Sequence, residues 1–259
     1  MEMKAVAENM AVPSEILYPT GLTLGVVDFL NDVSYQVMRT EDQLEDIFRL
    51  RHDTYKHAGY LEGNADGRFR DELDLSPNVH NVAIYLSGAL VACIRLHLMT
   101  AEQRESCAIG IFPAEINQRL DEGNIMVDSS RNCCDPKLES RYRALPLAVI
   151  RAAGLLAVHA NAKWTLATIK EGHIPFFRRI LGATSWHDGG VQYGGLDRAT
   201  TIHLLGASVE NLRRASKTKQ QYFLSTPEER SKLFDGANGP VPSSVRQILT
   251  GEIVDPYWA

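Results

Sequence analysis

The sequence places an acid, a serine and two arginines where a polar site could form on neighbouring strands. Asp128 and Arg131 lie three residues apart, with Ser129 between them, directly after a strand-like segment. Arg95 lies inside another apolar, strand-like run, 90–98. A charge in such a run is costly to bury unless a partner neutralises it. The chemistry that these residues offer is therefore that of paired charges held inside the fold.

The partners of these arginines are expected to come from a long polar connection, residues 60–80. It contains Asp71 and Asp74, and the helix predicted before it carries Arg51. A connection of this length inside a domain is usually functional or mobile. Two interpretations stay open: the charges form a salt-bridge cluster that orders the loop, or they contact a substrate directly. Both could hold, because an ordered loop can close a site.

Length and charge limit the kind of protein that this chain can be. At 259 residues with a net charge of −5, it is one large domain or a domain with an appendage, and it has no general attraction for nucleic acid. No stretch approaches the roughly 18 apolar residues of a membrane span. The N-terminus lacks the apolar core of a secretory signal. We expect a cytoplasmic protein with no nucleic-acid partner, while peripheral membrane contact and oligomeric state stay open.

The cysteines and histidines do not follow metal-binding patterns. The four cysteines lack zinc spacing, and reduced thiols in the cytosol are the simplest interpretation of Cys93, Cys107, Cys133 and Cys134. The eight histidines show no His-x-x-x-His pair beside an acid. We predict no metal site, and we expect His97 on its strand to be a core histidine.

Hydrophobic periodicity predicts an alternation of strands and helices. The strand-like segments are 33–38, 82–86, 90–98, 124–128, 164–168, 184–187 and 200–205. The helical segments are 40–59, 111–120, 145–159 and 173–181. Thr40 with Gln43 forms a capping box, and Ser87-Gly88 marks a hairpin turn.

This order indicates an α/β (α+β) fold with a mixed, mostly antiparallel central sheet and helices on both faces. Three parts are predicted along the chain: an N-terminal arm (1–32), a main domain (33–207) and a C-terminal helical extension (208–259). Within the extension, Thr226 and Pro227 form a strong helix start.

The ordered charges resemble those of the GNAT-fold acyl-homoserine lactone synthases and their relatives, the long-chain N-acyl amino acid synthases. These families carry an arginine on the first helix, an aromatic residue after it, two aspartates three apart, a strand arginine, and an acid three residues before an arginine. The matching residues here are Arg51, Tyr55 or Tyr60, Asp71, Asp74, Arg95, Asp128 and Arg131. Segment 173–182 is similar to a later helix of the N-acyl amino acid synthases.

The resemblance implies an acyltransferase in which the α-amino group of a small amino acid attacks an acyl thioester. It implies a catalytic group of Asp128, Arg131 and Arg95, with Asp128 as base or amine anchor. An ordinary aspartate pKa of about 3.9 is low for a base, so burial would have to raise it. The other matched positions are expected to bind substrate or to order the loop, and they are Arg51, Tyr55, Tyr60, Asp71, Asp74, Ser129, His173 and Phe177.

Two departures from the family pattern bear on mechanism. Asp128 stands where the lactone synthases usually have glutamate. Phe176-Phe177 stands where Phe-Tyr is usual, so a tyrosine acid at that place is in doubt. His173 either caps its helix or faces the pantetheine thiol.

The thioester donor is predicted from what one segment lacks. GNAT enzymes that use coenzyme A bring backbone N–H groups of a glycine-containing turn to the pyrophosphate. The equivalent segment here, 131–147, contains no glycine. An acyl chain on the phosphopantetheine of acyl carrier protein therefore fits better than acyl-CoA, and no bound cofactor is expected. A basic patch for the acidic carrier would comprise Arg141, Arg143, Arg151, Lys170, Arg178 and Arg179.

Three functions are compatible with these residues and with the resemblance. The first is synthesis of N-acyl amino acids from a long-chain acyl carrier protein. The second is acyl-homoserine lactone synthesis with S-adenosylmethionine. The third is a non-catalytic GNAT-shaped domain that binds a carrier protein or a lipid, in which the charge cluster is purely structural.

Overall fold

A mixed sheet of nine strands carries the fold in the computed structural model, which describes residues 21–62, 64–215, 217–236 and 239–254. The strands are Val33–Met38 (β1), Val79–Leu86 (β2), Ala89–Met99 (β3), Met126–Cys134 (β4), Trp164–Ile169 (β5), Thr184–Ser185 (β6), Val191–Tyr193 (β7), Thr200–Ser208 (β8) and Val241–Pro242 (β9). The α-helices are Gly21–Asn31 (α1), Glu41–His57 (α2), Cys107–Ile111 (α3), Pro113–Asp121 (α4), Pro136–Glu139 (α5), Leu145–His159 (α6), Ile174–Leu181 (α7), Val209–Arg213 (α8), Lys217–Gln220 (α9), Pro227–Asp235 (α10) and Val245–Leu249 (α11).

The strand order across the sheet is β6-β8-β5-β4-β3-β2-β1-β9, and β7 pairs with β8 as well. Of the neighbouring pairs, β4 and β5 run parallel, and the remaining pairs are antiparallel. A parallel pair needs a crossover between its strands, and α6 provides it. The predicted mixed, mostly antiparallel sheet is confirmed.

The first long helix, α2, begins and ends where the sequence indicates. The Thr40 hydroxyl accepts from the N–H of Gln43, and the Gln43 side chain accepts from the N–H of Thr40, which completes a capping box. Gly59 follows the helix with φ +74°, a conformation that glycine adopts without strain. The Thr54 hydroxyl donates to the carbonyl of Cys134, which fixes the end of α2 beside the end of β4.

The central helix, α6, covers one face of the sheet and has the predicted bounds. It is apolar on nearly every side, and twelve of its fifteen residues are buried. A helix that is hydrophobic all round must lie inside a fold. Its inner residues pack against strand residues such as Ile94, Leu96 and Val127. α6 therefore holds the crossover from β4 to β5 rigidly against the sheet.

Some elements differ from the prediction. β4 extends to Cys134, well past the apolar segment that the sequence marks, because its polar residues continue to pair with β3. Helix α3 and the short strand β7 have no clear periodicity and were not expected. A five-residue helix or a three-residue strand contains fewer than two periods of its own structure. Hydrophobic periodicity therefore cannot identify elements as short as α3 and β7.

The predicted arm contains a packed helix at its end. Residues 1–20 lie outside the described part of the chain. Residues 21–31 form α1, and Val27, Phe29 and Leu30 of this helix are buried in the main core. The residues just before β1 thus belong to the folded body.

The C-terminal segment is helical as expected, but it is also part of the same core. β9 pairs with β1 and extends the sheet by one strand. Leu233 and Phe234 of α10 and Val245 of α11 are buried in the cluster that includes α6. A segment that supplies a strand and core residues stabilises the sheet itself.

A buried ion pair ties this segment to α6. The Arg151 guanidinium lies 2.9 Å from a carboxylate oxygen of Glu229, and it donates to the carbonyl of Leu224 at 2.6 Å. Both charged side chains are shielded from solvent, and the N–H and hydroxyl of Ser244 donate to Glu229. The prediction that Arg151 belongs to a surface basic patch is wrong, because the C-terminal segment covers it.

We expect Glu229→Ala to destabilise the protein by about 3–5 kcal/mol, because it leaves the buried Arg151 charge without its partner. Urea unfolding measures the loss. The matched control is Glu228→Ala, which removes an exposed acid from the same helix turn. Equal stabilities of the two variants would contradict the role of the buried pair.

Candidate active site

A cavity opens where the parallel neighbours β4 and β5 separate. Their pairing ends where Ser129 lies opposite Ala167. Both strands continue beyond that point, β4 to Cys134 and β5 to Ile169, without pairing to each other. The cavity between them has a volume of about 600 Å³, within the ~300–1,000 Å³ range of ligand pockets.

A bulge in β4 directs Arg131 toward this cavity. Cys93 pairs with Cys133, and Arg95 pairs with Ser130. Between these two pairs β4 advances by three residues and β3 by only two, so β4 carries one extra residue. Arg131 is the residue of the bulge with a left-handed backbone, φ +53°. Such bulges re-aim side chains next to active sites. The Arg131 side chain lines the cavity.

The Arg131 guanidinium is held between aromatic rings and an acid. Its central carbon lies 4.4 Å from the ring centre of Phe69 and 5.8 Å from that of Tyr55. One nitrogen donates to Asp71 at 2.6 Å. Cation–π contact and a charge-assisted hydrogen bond together fix the position of the side chain.

Asp71 bridges two arginines from different strands. It accepts from Arg131 through one carboxylate oxygen and from Arg95 through the other. Partial burial by itself raises the pKa of Asp71, but the hydrogen bonds and charges of Arg95 and Arg131 outweigh it and lower that pKa to about 2. Asp71 is therefore ionised at neutral pH and acts as a fixed counter-charge.

A second set of contacts lies deeper than Asp71. Asp74 accepts from Arg51 at 2.6 Å and from Arg95 at 3.1 Å. Arg51 also donates to the Asn81 side chain at 2.8 Å, and Asn81 donates to the carbonyl of Asp74 at 2.9 Å. Arg51, Asp74 and Arg95 are buried and do not line the cavity. This geometry supports the loop-ordering interpretation for these three residues.

The loop itself forms a short 3₁₀ helix, Glu72–Leu75, over the sheet. Asp71 caps it by accepting from the N–H of Leu73, and the Asp74 carboxylate accepts from the N–H of Asp71. The two aspartates thus fold the turn and neutralise the arginines with the same side chains.

His97 anchors the same turn from the sheet. Its Nε2 atom lies 3.2 Å from the carbonyl of Leu73 and 3.1 Å from the hydroxyl of Ser76. Burial, with a smaller contribution from the Arg95 charge, lowers the pKa of His97 to about 4. The prediction of a core histidine is confirmed.

Asp128 is fully buried behind the wall of the cavity. Its carboxylate accepts from the N–H of Ala108 at 3.0 Å, in the first turn of α3. Burial raises the pKa of Asp128 to about 6, although the hydrogen bonds at the α3 N-terminus and the Arg95 charge oppose the shift. Its strand neighbours Ser129 and Ser130 line the cavity, and so does Cys107 at the start of α3. Asp128 is thus a buried carboxylate that titrates near neutral pH beside the cavity.

The cavity brings together most of the residues predicted to bind substrate. Those that line it are Tyr55, Tyr60, Ser129, His173 and Phe177, and Arg131, which was predicted to be catalytic, lines it as well. His173 precedes α7 and makes no side-chain capping bond there, so its predicted capping role is wrong. Burial and the nearby Lys170 charge lower the pKa of His173, which favours the neutral ring.

Several lining residues were not predicted. Cys107, Thr168 and Tyr193 lie on the cavity wall. Tyr193 is on β7, between the glycine pairs 189–190 and 194–195, and an aromatic residue set among glycines is the signal that could have identified it. Cys107 follows a capping serine in a five-residue helix, where no periodicity exists to reveal it.

The predicted basic patch separates into three groups. Arg143 and Lys170 line the cavity, and Lys170 donates to the hydroxyl of Tyr60. Arg141, Arg178 and Arg179 are exposed on the segments before α6 and along α7. Arg151 is buried on Glu229, in the ion pair that joins α6 to α10. Five of the six cations therefore either line the cavity or are exposed on segments next to residues that line it.

Among the described residues, no group of three or more metal-ligating side chains forms a metal site. No helix in the same part of the chain is long and apolar enough to cross a membrane.

A sheet of this order, a bulged β4, and a cavity where β4 and β5 part are the architecture of a GNAT-like fold, and the family match identifies an acyltransferase. A sequence model of the family described as N-acyl amino acid synthase FeeM matches residues 46–204. The chain belongs to this family. A search of curated proteins found no match.

Solved structures confirm the GNAT-like fold. The N-acyl amino acid synthase FeeM from uncultured soil microbes matches with a TM-score of 0.58 and 16% identity, over 73% of this chain and 97% of FeeM. The CoA-dependent acyl-homoserine lactone synthase BjaI matches with a TM-score of 0.54 and 18% identity, over 73% of this chain and 87% of BjaI. TofI matches with a TM-score of 0.52 and 15% identity, over 69% of this chain and 91% of TofI. At these identities the likeness concerns the fold alone.

We expect His97→Gln to make the free energy of unfolding depend less on pH in the acid range. His97 stays neutral in the folded protein down to about pH 4, whereas the unfolded chain binds a proton below about pH 6.5, so its contribution to stability is lost as pH falls between these values. Between pH 7 and pH 4, the free energy of unfolding of the wild-type protein should fall by on the order of 3 kcal/mol more than that of the variant. Chemical unfolding across this range, with the exposed His57→Gln as control, checks the expectation. Parallel curves for wild type and His97→Gln would refute it.

Proposed function

We propose that this protein transfers a long acyl chain from the phosphopantetheine of acyl carrier protein to the α-amino group of an amino acid. The observation that carries the proposal is the cavity at the β4–β5 split, with an apolar side, a cationic rim, and Asp128 directly behind its wall. Membership of the N-acyl amino acid synthase family supports the same reaction class.

The apolar side of the cavity suits an acyl chain. Val149 and Ile150 of α6 face Ile169 of β5 and the phenylalanines of α7, Phe176 and Phe177. Burial of methylene groups in such a wall stabilises a bound chain by about 0.8 kcal/mol per CH₂. This dependence on length favours a long-chain donor over a short one.

The N-terminus of α6 supports a carrier-protein donor over coenzyme A. The N–H groups of Leu147 and Ala148 both donate to the carbonyl of Ala144, and the N–H of Leu145 donates to that of Tyr142. Pro146 has no N–H to offer. A pyrophosphate needs several free N–H groups at a helix start, and these four positions offer none. A phosphopantetheine arm carries a single phosphodiester, which a side-chain cation such as Arg143 can hold.

The cationic rim suits an acidic carrier. Arg141, Arg178 and Arg179 are exposed, and Arg143 and Lys170 lie at the cavity itself. Complementary charge raises association rates and fixes the register of two partners. The rim charges thus direct the arm of the carrier into the cavity.

The chemical step needs a neutral amine and a stabilised oxyanion. The amine nitrogen attacks the thioester carbonyl, the C–N bond forms and the C–S bond breaks, and the pantetheine sulfur leaves as a thiolate that takes up a proton. With a pKa of about 6, Asp128 is largely ionised at neutral pH and is the proposed acceptor of the proton that the amine loses, which requires the wall formed by Ser129 and Cys107 to open between them. Backbone N–H groups of β4 beyond Ser129, where β5 no longer pairs, are the proposed oxyanion donors.

The acceptor is proposed to lie on the Arg131 side of the cavity. Arg131 can bind a carboxylate, and the hydroxyl groups of Tyr55, Tyr60 and Tyr193 surround the same region. The acyl chain and the amino acid would then approach the β4 bulge from opposite walls.

The four free cysteines agree with a cytoplasmic location, where carrier-bound acyl chains and reduced thiols coexist.

We expect Asp128→Asn to reduce turnover by about 10²-fold or more while the protein stays folded. The asparagine oxygen can still accept from the Ala108 N–H, so the start of α3 keeps its cap, but the base is lost. The assay is release of free carrier thiol from acyl carrier protein with mixed amino acids, combined with mass spectrometry of the product. In the wild type, kcat/KM should rise with pH through about 6, and Asp128→Glu should keep part of the activity.

The product decides between the functions considered. N-acyl amino acids that disappear in Asp128→Asn support the proposal. Homoserine lactones formed with S-adenosylmethionine would replace it with lactone synthesis. Carrier binding without thiol release from any amino acid would leave the non-catalytic interpretation.

We expect the double variant Arg141→Glu, Arg178→Glu to raise KM for acyl carrier protein by about tenfold with little change in kcat. The two side chains are exposed outside the cavity, so they affect the encounter with the carrier and not the chemistry. The difference from wild type should shrink at high salt, because exposed charges are screened. The control Arg246→Glu reverses an exposed charge on α11, which follows strand β9 and does not line the cavity. A KM that stays at the wild-type value in the double variant would remove these arginines from the docking surface.

A further inference from the structure

A second, narrow apolar pocket lies behind the main cavity. It shares Ser129, Ile150 and Phe177 with the cavity, so these side chains form the partition between the two. Its own volume is only about 10 Å³. At this volume the lining side chains nearly fill the pocket, so an acyl chain would enter it only if Ile150 or Phe177 moved aside.

The elements that line the pocket show in which direction it runs. On α6 the cavity is lined by residues up to Ile150, and the pocket continues to Ala153 and Gly154, one turn further along. On β5 the cavity begins at Thr168 and the pocket reaches back to Thr165. The pocket thus extends from the reacting end of the cavity into the space between α6 and the sheet.

Phe223 closes the far end of this pocket. It comes from the C-terminal segment, outside residues 46–204 of the family match, and it is buried. Its ring packs on Gly154 so closely that a Cβ atom at that position would lie 2.6 Å from the ring. Real Cβ atoms do not approach so near, so glycine is what allows the ring to reach this place.

We propose that Phe223 sets the length of acyl chain that the protein accepts, with the terminal methyl group of the chain ending against its ring. The inference rests on the proposed acyl transfer and adds a specificity residue from the C-terminal segment. Phe223 and Gly154 are proposed to act in opposite senses, because a smaller side chain at 223 deepens the pocket, whereas a Cβ at 154 collides with the Phe223 ring and pushes it into the pocket. Chains longer than the pocket lose contact with the partition and place the thioester short of the β4 bulge.

The experiment compares Phe223→Leu and Gly154→Ala with wild type in two assays. The first is the chain-length distribution of products, by mass spectrometry, from an equimolar mixture of acyl carrier proteins. The second is displacement of a fluorescent fatty acid by free fatty acids of increasing length, which needs no catalysis. Phe223→Leu should move both optima to longer chains by about two methylene groups, and Gly154→Ala should move them to shorter chains.

The matched control is Phe234→Leu. Phe234 is a buried phenylalanine of the same C-terminal segment, but it packs in the main core beside His80 and His159 and does not line the pocket. It loses a similar amount of packing and should leave both optima unchanged. Thermal unfolding of each variant shows that the protein assayed is folded.

The outcomes separate the two proposals. A shift in fatty-acid binding without any acyl transfer would keep the role of Phe223 and remove the proposed reaction. Transfer with an unchanged chain-length optimum in both variants, or a shift of equal size in Phe234→Leu, would overturn the role of Phe223. Absence of length-dependent binding in the wild type would do the same.

Discussion

The burial of arginine side chains at the centre of the sheet is the constraint on which the rest of the structure depends. Arg51 and Arg95 have no contact with solvent, and Arg131 is almost as well covered. Buried guanidinium groups need counter-charges, and two aspartates from one short turn supply them. The turn must therefore lie over the sheet, and in that position it also supports the Arg131 side chain at the cavity.

The sheet and the charged set could be predicted from the sequence because both depend on strong local patterns. The capping box follows from the spacing of Thr40 and Gln43, which is typical of a helix start. The length of α6 follows from its nearly unbroken apolar sequence, which is typical of a buried helix. The pairing of Asp71 and Asp74 with the arginines follows from the cost of an unpaired buried charge. These are rules about single segments or about charge balance, which a sequence displays directly.

Other features of the site depend on contacts between distant segments, and the sequence does not display those. Arg151 is a basic residue of the kind that docking surfaces use, yet the glutamate 78 positions later, Glu229, neutralises it inside the fold. Cys107 and Tyr193 reach the cavity on elements of three to five residues, which carry too little periodicity to be recognised. The bulge at Arg131 requires knowledge of the β3–β4 register, which is set by pairing.

The 3₁₀ turn that carries both aspartates has a consequence for the order in which the protein assembles. Its own sequence closes only one helical turn, and its remaining stability comes from arginines and a histidine on α2, β3 and β4. Such a turn has nothing to dock on until those elements are in place. Because opening of the turn would leave Arg51 and Arg95 buried without counter-charges, its amides should exchange with solvent only through openings that also expose these arginines.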